Sequence, residues 1–69
     1  MMMPKWKVGA SVVAFDASAR AQGINPWRSA VVGEILREDG AWWVRVVFEG
    51  GRSSILKPDG VREEKNEGS

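Results

Sequence analysis

Apolar and polar positions alternate most cleanly over residues 41–49, where Trp42, Val44, Val46 and Phe48 share one parity and Trp43, Arg45, Val47 and Glu49 the other. A period of two is the signature of a strand with one face turned to a core, so the first set is expected inward. Asp39-Gly40 stands just before it, and that pair readily supplies the positive φ angles of a two-residue hairpin turn. Residues 28–36 form the preceding strand, with Ala30 and Val32 on one face and Val31 and Ile35 breaking the alternation. Residues 12–15, Val-Val-Ala-Phe, read as a strand from their β-branched and aromatic content. Gly9 marks a turn or bulge ahead of them, and Trp6 is expected to seal one end of the core. Gly50-Gly51 closes the 41–49 strand, residues 53–56 form a short strand, 57–60 a turn, and Val61 is the last inward position.

Between the first two strands, residues 16–26 read as a loop with Gly23 and the turn pair Asn25-Pro26. Residues 17–22 have helix-friendly composition, but the stretch is too short to hold a helix by itself. Residues 1–5 and the charged stretch 63–69 are expected to be disordered, leaving one domain over 6–62. Short strands, tight turns and no long amphipathic helix predict an all-β domain, a small five-stranded barrel.

Composition narrows the chemistry. The chain has 69 residues, four tryptophans, no cysteine and no histidine, so disulfides and the zinc and haem ligand sets built on those side chains are excluded. No cofactor is expected. A domain near this size buries only about 60% of the surface its unfolded chain exposes, and without staples it relies on a dense aromatic core or on oligomerisation. Ten basic and nine acidic residues are interleaved for a net charge of +1, unlike the basic stripe that drives binding to phosphate backbones. No apolar run approaches the roughly 20 residues that span a bilayer. Met1-Met2-Met3 leads into Pro4 and Lys5, not into an apolar core with a cleavage site. A cytoplasmic, membrane-independent protein is the expectation.

Catalytic equipment is sparse. A base must be Asp, Glu or Lys and a nucleophile Ser; Ser53 and Ser54 have no base at a telling spacing and read as polar strand positions. Gly50-Gly51 lacks the following helix that would hold a phosphate. The aromatic residues carry more information. Phe15 and Trp27 flank the long loop, Phe48 ends the clearest strand, Arg52 follows the second turn, and Trp43 points away from the core set. These five, Phe15, Trp27, Trp43, Phe48 and Arg52, are the candidate ligand-binding residues. Arg28, Arg45 and Arg52 are candidates for an anion-binding face, against the plainer reading of solvated charges paired with Glu34 and Glu49.

Val8-Gly9, Val12-Val13-Ala14, the stretch from Trp27 to Val32, and that from Val44 to Gly51 together resemble the Tudor/Agenet pattern of SH3-like barrels over residues 8–61. The resemblance implies a binding module that reads methylated lysine or arginine through an aromatic cage. Phe48 would stand at one cage wall, Trp27 next to another, and the remaining positions near Asp16, Arg28 and Arg52. A weaker resemblance is to the plasmid-borne type II dihydrofolate reductases, SH3-like barrels that form a homotetramer around one active pore. Trp27 to Gly33 is similar to their W-x-G-x-I-V-G stretch. Ser53-Ser54-Ile55-Leu56 stands where V-Q-I-Y is expected and keeps only the isoleucine.

Three functional expectations follow. The first is a non-catalytic binding or assembly module that holds a peptide or protein partner at its loop rim. The second is a homo-oligomeric reductase-like protein with Ile55, Ser54 and Leu56 lining a shared pore. The third is weak nucleic-acid binding through Arg28, Arg45 and Arg52, against which the near-zero net charge weighs. Self-association is expected as well, because the strand at 41–49 carries large apolar groups on both faces and a single small barrel buries only one of them.

Overall fold

The computed structural model describes residues 5–64. Five strands form one antiparallel sheet in the order β4-β3-β2-β1-β5: β1 is Ser11–Phe15, β2 Trp27–Glu38, β3 Ala41–Phe48, β4 Ser53–Leu56 and β5 Val61–Glu63. The domain is all-β; among the described residues helix is confined to α1, Ala17–Ala21, and a 3-10 turn at Pro58–Gly60. Asp39 and Gly40 both have positive φ, 52° and 77°, as a mirror-image hairpin turn requires, and they set β2 against β3 from Glu38↔Ala41 onward. β5 returns beside β1, pairing Val61 with Ala14.

The core consists of Val12, Ala14, Ala30, Val32, Val44, Val46, Phe48 and Val61. Alternation along β1, β2 and β3 places these residues on one face, because successive side chains point to opposite sides of a strand. β2 manages twelve residues by slipping register between Val32 and Glu34. The slip at Gly33 is a bulge, and it returns Ile35 to the core side opposite Val44. That accounts for the broken alternation of the sequence.

Three expectations are corrected. The 16–26 segment is not all loop, because α1 makes a single helical turn within it. Trp42 shares the parity of the core but is only half-buried and does not belong to the core cluster. It lies on β3 two residues before Val44, opposite Arg37, whose guanidinium is 5.0 Å from the indole centroid. The core itself is built of valines, alanines and one phenylalanine, not of tryptophan. Trp6 packs partly buried against it, as expected. The β5 strand runs to Glu63, and residues 1–4 and 65–69 of the expected disordered ends lie outside the described residues.

Candidate functional site

Asp16 organises one rim of the sheet. Its position between β1 and α1 allows a side-chain oxygen to accept from the amides of Ser18, at 3.0 Å, and Ala19, at 3.4 Å. This is N-capping, which satisfies donors that a helix start otherwise leaves free. Arg52, just past the β3–β4 turn, donates to both carboxylate oxygens at 3.1 and 2.6 Å, and Arg28 approaches to 4.0 Å. Asp16 is only 3% exposed, and a buried carboxylate needs this set of partners to stay charged. The hydrogen bond from Arg52 holds its pKa below the usual carboxylate value, helped by the two amides and by the guanidinium charge, while burial opposes them. The same pairing raises Arg52 above its ordinary value.

Phe15 and Trp27 face each other across β1 and β2 and meet edge to face, with centroids 5.5 Å apart. The Arg62 guanidinium lies 3.7 Å from the Trp27 centroid. Beside Trp27 a groove of about 380 Å³ is lined by Ile24, Asn25, Trp27, Arg28, Ser29 and Glu49. Asn25 accepts from the Trp27 amide at 3.0 Å, and the Asp16 amide donates to the Pro26 carbonyl at 2.7 Å. Both bonds tie the groove wall to the base of the loop.

Of the five candidate residues, Phe15, Trp27, Phe48 and Arg52 gather at this rim, but with different parts to play. Phe48 is only 4% exposed and belongs to the core; Arg52 lies over its ring at 5.5 Å. It supports the rim from beneath and offers no free face. Arg52 is committed to Asp16. Phe15 and Trp27 are half-buried; Trp27 is the aromatic surface of the groove and Phe15 braces it. Trp43 lies elsewhere: it is opposite Leu36 on β2, whereas Phe48 is opposite Ala30. Five residues of strand separate the two, about 17 Å. Trp43 lines its own shallow groove of about 260 Å³ with Leu36, Glu38 and Ile55.

Every tryptophan has a cation over its ring: Lys5 on Trp6 at 4.8 Å, Arg62 on Trp27, Arg37 on Trp42, and Lys57 on Trp43 at 5.7 Å. With Arg52 on Phe48, the positions a methylated cation would take in an aromatic cage are held by the chain's own basic side chains. Nor do the three arginines form one anion-binding face. Arg45 pairs with Glu34 across β2 and β3, while Arg28 and Arg52 converge on a carboxylate. Ser54 is half-buried in β4 opposite Val46, and Ser53 is opposite Val47; neither makes a hydrogen bond to a carboxylate among the described residues. Among those residues, no cluster of acidic side chains is placed to hold a metal ion, and no helix is long and apolar enough to cross a membrane.

Sequence reasoning placed Asp16 only near a cage position and missed its role as cap and ion-pair partner. Its signal was an aspartate directly before Ala-Ser-Ala-Arg-Ala, the position and type of an N-cap. Its pairing with Arg52, 36 residues away, has no local signature. Comparison with protein-family models, characterised proteins and solved structures finds no match for the chain.

Proposed function

We propose that the chain is a non-catalytic binding module, an SH3-like barrel that holds a peptide segment of a protein partner in the rim groove at Trp27. The single observation that carries this reading is the groove itself. A half-buried tryptophan is braced by Phe15 and Arg62, with exposed Ile24 on the same wall and polar Asn25, Arg28, Ser29 and Glu49 around it. An apolar platform with a few convergent polar groups is the usual form of a recognition site, and tryptophan and arginine are among the side chains most enriched at binding hot spots. The strand order, with β5 beside β1 and a 3-10 turn before it, supports the SH3-like reading of the fold. Because a guanidinium already covers Trp27, the favoured ligand is a segment that inserts an apolar side chain beside the indole, not a methylated cation.

The test is selection from a displayed library of random peptides, followed by amide shift mapping with a selected sequence. Shifts centred on residues 24–29, and loss of binding in Trp27→Ala, are the expected results. Absence of any enriched sequence, or shifts centred on β3 and β4 instead, refutes the assignment.

A further inference from the structure

The opposite, solvent side of the β2–β3 ladder carries a second pattern. Three cross-strand pairs lie along it: Val31↔Val47, Glu34↔Arg45 and Leu36↔Trp43. Val31 and Val47 are 43% and 37% exposed, and Ile55 on neighbouring β4 is 54% exposed. Leu36 and Trp43 are half-buried. Glu34 and Arg45 form an ion pair between the two apolar rows, each with 45% of its side chain exposed. Gly33 keeps the middle of the face low: a Cβ there would stand 3.3 Å from Cγ2 of Val47.

We infer that this face is a self-association surface whose occupant is a second copy of the chain, related by a two-fold axis running along the β2–β3 seam. The strand register is what points there. A two-fold along the seam exchanges the two members of every cross-strand pair. Val31 of one copy then meets Val47 of the other, Leu36 meets Trp43, and Glu34 meets Arg45. An isologous interface requires such a self-complementary surface, and here all three rows satisfy it at once. The two ion pairs become an alternating ring of four charges. Packing shifted by one strand would set like charges together, so the charged row fixes the orientation. Lys57, the cation over Trp43, is itself exposed and can move to the margin while its aliphatic stem stays on the ring.

The patch runs along about 15 Å of two strands, less than the roughly 800 Å² per partner of a standard stable interface. The dimer is accordingly weak, with a dissociation constant on the order of 10–1000 μM. The inference rests on the strand register and stands independently of the peptide-binding reading.

Sedimentation of the full chain from about 10 μM to about 1 mM, a range that brackets this affinity, tests the inference together with two charge reversals. Wild type is expected to shift from one-chain to two-chain mass. Glu34→Lys and Arg45→Glu are each expected to stay monomeric, because like charges then face each other. An equimolar mixture of the two variants is expected to recover the two-chain mass, because each now complements the other. Wild type that stays monomeric throughout, either variant dimerising like wild type, or a mixture that fails to associate overturns the inference. If a charge reversal does not fold, Val31→Asp with Val47→Lys gives the same complementation on a different row, with the same outcomes.

Discussion

The Asp16 carboxylate accepts from two backbone amides and from two nitrogens of Arg52. It joins three separate parts of the chain: the end of β1, the turn of α1, and the strand start after Gly50-Gly51. Because its pKa is lowered in the folded protein, chiefly by Arg52, the sign of the linkage is set. The stabilisation is complete above the unfolded aspartate value near 3.9 and disappears as pH falls through the lower folded value. Asp16→Asn keeps a capping oxygen but strands Arg52 without its carboxylate. At pH 7 its melting temperature is expected to drop by roughly 5–10 °C, the response of a domain this size to losing one strong polar interaction. Thermal melts from pH 7 to 2 should show the gap to wild type closing below about pH 4. A gap that stays constant into acid would mean that the charge of Asp16 contributes nothing.

Among the elements, the β2–β3 hairpin depends on the backbone conformation of its turn. Gly40 has φ 77°, and a Cβ at this position would meet nothing within 4 Å, so substitution there is opposed by backbone strain alone. Gly40→Ala is expected to destabilise by about 1 kcal/mol, read as a lower urea midpoint at unchanged slope. An unchanged midpoint would show that the turn relaxes to another type. Gly33 presents the reverse case. Its φ is ordinary, and the Cβ of Gly33→Ala would press on Val47, whose side chain is partly exposed and free to give. Relief of glycine's unfolded-state entropy offsets that contact, so the expected change is within about 1 kcal/mol of zero. A loss of several kcal/mol would show that the bulge tolerates no side chain. α1, at five residues, is too short to persist by itself; its order comes from the Asp16 cap and from Ala19, which is buried.

At the scale of the whole molecule, stability rests on a small core. Four valines, Val12, Val32, Val44 and Val46, are its largest fully buried side chains. A single core of this size supplies a margin of only about 3–5 kcal/mol. Val46→Ala removes two methyl groups between β2 and β4, at a cost of about 2 kcal/mol. The expected outcome is a cooperative melt shifted down by about 10 °C or more; a shift under about 2 °C would mean that the cavity collapses. The tryptophans contribute differently from the dense aromatic core that their number suggested. They ring the sheet half-buried, each with the charged end of a basic side chain over its ring, a cation–π contact that covers part of the indole.

Strand identity and the two tight turns were readable from residue order because they rest on local physics. Alternation picks out the buried face of β3, and Asp39-Gly40 and Gly50-Gly51 admit positive φ at low cost. The edges of these elements and the single turn of α1 were less legible, since packing and capping decide where a strand or short helix stops. The site was legible only in part. Phe15 and Trp27 flank the loop in sequence and meet in space because β1 and β2 pair there. The separation of Trp43 from them, the burial of Phe48 beneath Arg52, and the capture of Arg52 by Asp16 follow from the register of β2 on β3 and from the path of the β3–β4 turn. Those are long-range relations. Residue types and spacing determine which face of a strand is apolar, but only the assembled sheet decides which charge lies over which ring.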